Sequence, residues 1–181
     1  FGAHQAANAS VALTAVEAFF GGVEPISDET VREAFASVSS PGRLEVVRRS
    51  PTVIVDAAHN PHGAAVLASA LEESFTFESI IGVVSIMGDK DVDGILTAFD
   101  GLFDQIVVTH NGAPRAMTAA QLGEKAEAIF GPERVTVANS LTDAISQAVA
   151  MADAAGTSGV GVVVTGSVVT AGVARALVHR A

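Results

Sequence analysis

The sequence contains no cysteine, no tryptophan and no tyrosine. The first absence excludes disulfide frameworks, thiolate metal sites and cysteine nucleophiles. The other two leave nine phenylalanines to supply every aromatic contact. Positive charge is scarce as well: ten Lys plus Arg stand against twenty Asp plus Glu, a formal net charge of −10. Nucleic-acid and anionic-membrane surfaces need clustered positive charge, so this balance argues against both. The only lysines are Lys90 and Lys125, each preceded by an acidic residue. Neither fits the Gly-Lys-Ser/Thr of a phosphate-binding P-loop. Mean hydropathy is +0.44, yet no apolar run reaches the roughly 18 residues of a membrane span. An initiator Met is also missing. The chain begins at Phe1, within what reads as a helix, and is expected to be a fragment.

What is present is a hydrophobic fraction of 49% over 181 residues. That suffices for one domain with a real core and an appended piece. Apolar residues recur at helical spacing over 4–19 and stop at Gly21-Gly22. Ser27 is a candidate cap for a helix running to about Val38, with Thr30 where a capping box would prefer Glu. Pro41-Gly42 is the best boundary in the chain, giving a helical tail over 1–40 and a second domain over 41–181.

Beyond that turn the rhythm changes. Two short Val-rich strands are expected at 44–49 and 52–55, separated by Ser50-Pro51. Helices follow at 62–73, 92–101, 118–129, 140–153 and 168–179, alternating with strands at 80–86, 105–109, 134–137 and 159–165. Apolar strand runs alternating with amphipathic helices predict βαβ units. The fold class is α/β: a doubly wound, mostly parallel sheet with helices on both faces.

Such sheets bind ligands beyond the carboxyl ends of their strands. Four loops lie there: Asp56-Ala-Ala-His59-Asn60-Pro61, Met87-Gly88-Asp89-Lys90-Asp91, Thr109-His110-Asn111 and Thr165-Gly166-Ser167. All are polar or charged, and they follow four different strands. Asp56 can accept from ribose hydroxyls or hold a cation, and His59 can donate to a carboxylate or phosphate. Equally, Asp56 can cap the next helix and His59 can be a turn residue. His59 and His62 have a possible metal spacing, but without a third ligand pattern no metal site is expected. Lys90 between Asp89 and Asp91 suits a phosphate contact, or a solvated helix start with acids favoured by the helix dipole. Gly166 lets a ligand approach the backbone at a helix N-terminus, while Ser167 would serve equally as an ordinary N-cap. Arg43, at the boundary, can clamp phosphate on domain closure or form a surface ion pair. His4 and Asn8 share a helix face, and Asn8 could read an adenine edge. Neither a dinucleotide fingerprint nor a Gly-x-Ser-x-Gly elbow is found.

The order of these motifs is more informative than any one. Gly2-x-His4-Gln5-x-x-Asn8-Ala, Pro41-Gly42-Arg43-Leu44-Glu45, Asp56-x-Ala58-His59-Asn60-Pro61, Asp89-Lys90-Asp91 and Thr165-Gly166-Ser167 succeed one another. In that order they resemble the C-terminal part of bacterial folylpolyglutamate synthases, which often double as dihydrofolate synthases and belong to the Mur ligase superfamily. The resemblance implies an ATP-dependent ligase that joins L-glutamate to folate or dihydropteroate through an acyl phosphate. It implies ATP and Mg2+ as cofactors, the metal held mainly by an N-terminal domain absent from this chain, and a monomeric cytoplasmic enzyme. Residue by residue, it implies that Asn8 contacts adenine, Arg43 an ATP phosphate, and Asp56 the ribose or phosphate region. His59 and Ser167 would lie near the incoming glutamate. Lys90, Asp89 and Asp91 would line the inter-domain site. Residues 1–40 would be the tail of a central ATPase domain. One departure is that Val168-Val169 follows Thr-Gly-Ser, where the family commonly has Leu and an aromatic. The reading opposed to the ligase is a free-standing α/β module that binds an anionic small molecule without chemistry.

Overall fold

A computed structural model describes residues 3–22, 25–156 and 159–178, the first two of them by backbone alone. Gly2 of the first motif, and residue 179 at the expected end of the last helix, lie outside the described residues. The chain divides into two compact units, Phe1–Pro41 and Gly42–Ala181.

The first unit contains α1 (Ala3–Phe19) and α2 (Asp28–Ser37). Gly21 and Gly22 end α1 with φ of +91° and +62°, values that favour glycine. Ser27 caps α2, accepting from the Thr30 N–H at 3.3 Å. Its hydroxyl also meets Thr30 Oγ1 at 2.9 Å, a pairing of side chains rather than the return bond to the cap N–H that completes a capping box.

The second unit is built on a six-stranded sheet of order β1-β2-β6-β3-β4-β5. The strands are β1 (Glu45–Arg49), β2 (Thr52–Val55), β3 (Ser79–Val84), β4 (Gln105–Val108), β5 (Val135–Val137) and β6 (Val160–Thr165). Only β1 runs antiparallel, paired to β2 with a bulge between Val46 and Arg48. All remaining pairings are parallel. The helices are α3 (Pro61–Ser74), α4 (Val92–Asp100), α5 (Ala119–Phe130), α6 (Leu141–Ala154) and α7 (Val168–Val178).

Alternation along each strand splits the core into two layers. Ile54, Val84, Ile106, Val108 and Val163 pack under α3, α4 and α5. Val53, Val55, Val83, Val107, Val162 and Val164 pack under α6 and α7. Strands buried on both faces become continuous apolar runs, and all six residues of β6 are buried. Phe103 fills the space over Gly82, where an added Cβ would fall 2.3 Å from the ring. Phe99 packs against Phe103 with centroids 4.9 Å apart.

Topology sets the site. After β2, β3 and β4 the chain steps outward through α3, α4 and α5 on one face. It then returns through α6 on the other face to insert β6 between β2 and β3. Right-handed crossovers force that change of face when the direction of stepping reverses. The loop after β6 therefore leaves toward one face, while its neighbours after β2 and β3 leave toward the other. A crevice opens where adjacent loops diverge in this way.

Candidate functional site

Hydrogen bonds at the strand ends place the four predicted loops side by side. The Asp56 N–H donates to Val164 O at 3.0 Å, Ser85 N–H to Thr165 O at 3.3 Å and Thr109 N–H to Val84 O at 3.0 Å. Thr165-Gly166-Ser167 thus sits between the Asp56 and Met87 loops. Pro61 Cγ and the Asp91 carboxylate both crowd Gly94, so the starts of α3 and α4 also meet.

Asp56 is 9% exposed. Its Oδ1 accepts from Ala58 N–H at 2.8 Å and its Oδ2 from Leu44 N–H at 2.9 Å. It therefore does not cap the next helix: Asn60 does, accepting from Gly63 N–H at 2.7 Å. The Leu44 contact draws the turn carrying Arg43 onto the end of β2. The Arg43 side chain is exposed.

His59 is half-buried and its Nδ1 lies 3.0 Å from Ala57 O. A carbonyl can only accept, so Nδ1 carries a proton and Nε2 is the ring nitrogen left outside this contact. Asp91 caps α4 through Gly94 N–H at 3.0 Å. Asp89 pairs with Arg115 at 3.1 Å and Lys90 at 3.7 Å. All three side chains are substantially exposed, so these pairs add little stability. Asn8 is exposed on α1, in the first unit.

Ser167 is only 3% exposed and belongs to a buried polar cluster. It accepts from Thr170 N–H at 3.0 Å and from Asn111 Nδ2 at 3.2 Å. Thr170 Oγ1 accepts from the same Asn111 amide at 3.0 Å and donates to Ser85 O at 2.9 Å. Thr170 has thereby used its one proton, so in the 2.7 Å contact between the two hydroxyls Ser167 is the donor. Ser167 is thus fully engaged as the N-cap of α7. Beside it, the buried hydroxyls of Ser85 and Thr165 have no hydrogen-bond partner among the described residues.

Sequence reasoning assigned no role to Asn111, Thr170, Glu45, Arg175 or Arg115. A polar Asn just past a strand was the one available signal, since its Oδ1 also makes a local turn with Ala113 N–H at 2.9 Å. Among the described residues no group of three or more His, Asp or Glu is placed to hold a metal ion. Likewise, no described helix is long and apolar enough to cross a membrane.

Comparison with known proteins fits this geometry. The family model "Mur ligase, glutamate ligase domain" matches residues 42–168. The dihydrofolate synthase/folylpolyglutamate synthase of Mycobacterium tuberculosis is 50% identical, covering 99% of this chain and 39% of that protein. A solved Mycobacterium tuberculosis folylpolyglutamate synthase complexed with ADP superposes with a TM-score of 0.94 at 52% identity, over 99% of this chain and 41% of that one. A solved bifunctional folylpolyglutamate synthase/dihydrofolate synthase with Mn, AMPPNP and L-glutamate bound gives 0.75 at 30% identity, over 92% and 38%. The chain therefore spans about two fifths of the length of these relatives. It belongs to the Mur ligase family, whose glutamate ligase domain it matches over residues 42–168.

Proposed function

We propose that this chain is the C-terminal portion of an ATP-dependent ligase that adds L-glutamate to folate or dihydropteroate. The observation that carries the reading is the Leu44–Asp56 bond. It fixes the Arg43 turn beside Asp56, in a crevice shared with the Thr165-Gly166-Ser167 loop. Relatives with ADP, and with Mn, AMPPNP and L-glutamate, support a nucleotide, a divalent metal and glutamate as ligands.

In this reaction ATP supplies the phosphoryl group that activates a folate carboxylate. The amine of glutamate then forms a bond to the acyl carbon, phosphate leaves with its bonding pair, and the nitrogen loses a proton. The protein contributes positioning and charge neutralisation. Arg43 contacts ATP phosphate with a bidentate guanidinium. Asp56, its carboxylate held by two backbone N–H groups, faces the ribose or phosphate region. Asn8 contacts adenine. His59 offers Nε2 to the incoming glutamate. Ser167 acts here by ordering the start of α7, whose free N–H groups suit a carboxylate. Lys90, Asp89 and Asp91 line the cleft toward a central ATPase domain, of which residues 1–40 are the tail. Mg2+ is held mainly by the N-terminal domain of such ligases, and the assembled enzyme is a cytoplasmic monomer. The match over 99% of the chain, beyond the glutamate ligase domain itself, favours this reading over a free-standing binding module.

The test is phosphate release that depends on ATP, glutamate and a folate substrate. The full-length ligase is expected to show it and the isolated chain to show none. Arg43→Ala in the full-length enzyme should slow the phosphoryl step by about 100-fold, as loss of a charged transition-state contact does. Activity of the isolated chain, or unchanged turnover in Arg43→Ala, would contradict the assignment.

A further inference from the structure

The turn that carries Arg43 is held by a chain of contacts reaching the last helix. Gly42 and Leu44, on either side of Arg43, have φ of +73° and +46°. A leucine in that region is strained and persists only where its surroundings over-determine it. Here the Leu44 side chain is 3% exposed in the core, and its N–H is held by Asp56 Oδ2. On the other side, Gly42 N–H donates to Glu45 Oε2 at 2.7 Å. Glu45 in turn accepts from Arg175 Nε, in α7, at 2.8 and 3.0 Å. Gly42 itself is buried against Ala171 of the same helix. Between these two clamped neighbours, Arg43 is exposed and makes no described side-chain hydrogen bond or ion pair.

We propose that Glu45 and Arg175 are positioning residues for Arg43. Glu45 fixes the turn by accepting from Gly42, and Arg175 fixes Glu45, so that the backbone carrying Arg43 is held where its side chain can reach an anionic ligand. Ordering of the turn is thereby completed before the ligand arrives, and only the Arg43 side chain remains to be ordered by it. The inference rests on reading Arg43 as the contact to ATP phosphate.

The test is a double-mutant cycle in the full-length ligase, with ATP, folate and L-glutamate varied separately. Glu45→Ala is expected to lower kcat/KM for ATP about tenfold, with the KM for glutamate within about twofold of the parent. Combined with Arg43→Ala, it should cost no more than Arg43→Ala alone, because both act through one group. Exchanging the charges, Glu45→Arg with Arg175→Glu, keeps an ion pair but removes the acceptor for Gly42, and should remain defective. A role in stability alone would be restored by that exchange. If Glu45→Ala does not fold, Glu45→Gln replaces it in the cycle. Its amide oxygen still accepts from Gly42 but has lost the charged pairing, so a loss of about threefold is expected. Losses that multiply in the double variant, or recovery on charge exchange, would overturn the proposal while leaving Arg43 in its role. A silent Arg43→Ala would overturn both.

Discussion

Gly166→Ala should be the most damaging small change near the site. Gly166 has φ of +105°, well outside the left-handed well that L-residues visit. Forcing alanine there costs about 1–3 kcal/mol. A Cβ would also fall 2.7 Å from Ser85 O and 3.1 Å from Ile86 Cγ1. That carbonyl cannot rotate aside as a side chain could. It accepts the Thr170 hydroxyl at 2.9 Å, and moving it endangers a buried hydrogen bond worth about 1 kcal/mol. The total is ~2–4 kcal/mol. At roughly 3 °C per kcal/mol for a domain of this size, Tm should fall by about 6–12 °C. Without Trp or Tyr the usual fluorescence probes are missing, so far-UV circular dichroism or calorimetry is the assay. Gly172→Ala is the internal control. Gly172 is exposed within α7 and nothing lies within 4 Å of an added Cβ. There alanine should stabilise by ~0.5–1 kcal/mol. If Gly166→Ala melted together with the parent, or if the two changes moved Tm in the same direction, the argument from φ and the Ser85 carbonyl would be refuted.

Asn111→Ala removes two donated bonds and one accepted bond from a buried cluster. It should lower unfolding free energy by about 2–3 kcal/mol in urea denaturation, and a loss under about 1 would show that the cluster is weaker than its geometry suggests. Thr165→Val should be neutral or stabilising by up to about 1 kcal/mol in the same assay, because the replaced hydroxyl is buried without a described partner. A clear loss of stability there would reveal a partner for that hydroxyl. His59→Ala in the full-length ligase should raise the glutamate KM by roughly tenfold, the scale of one lost polar contact, while ATP KM stays put. Unchanged glutamate kinetics would remove His59 from the substrate contacts.

Local features of the fold were legible because local physics decides them. Ser27 is followed by an acidic first turn and caps the helix as expected. The Val-rich runs became strands to within two residues at each end, the largest difference being β3, which stops at Val84 rather than residue 86. The order of those strands was not legible. Val-Ile-Val, Val-Gly-Val-Val-Val and Gln-Ile-Val-Val are interchangeable as hydrophobic runs, and nothing within β6 announces that it inserts between β2 and β3. The antiparallel direction of β1, by contrast, is implied by the two-residue Ser50-Pro51 link to β2, too short for a parallel crossover. In the candidate site, Asp56, His59 and Ser167 could be picked out by their place after strands. Their actual contacts could not, because they depend on distant partners. Asn111 reaches Ser167 across 56 positions, and Glu45 reaches Arg175 across 130. Asp56 shows the limit well. Of its two local readings, ligand contact or helix cap, the cap falls to Asn60, and its Oδ2 is held by Leu44, twelve residues earlier.

The two borders of the sheet have a consequence for solubility. A chain that is 49% hydrophobic, with a sheet apolar on both faces, risks joining to copies of itself wherever a straight strand border is left open. One border here is β1, which is bulged between Val46 and Arg48 and ends in the exposed guanidinium-bearing pair Arg48 and Arg49. The other is β5, only three residues long. An irregular, charged strand on one side and a stub on the other give an incoming chain too little regular backbone to zip against. Replacing its two exposed arginines with valines should turn this domain into an aggregating one without touching its core.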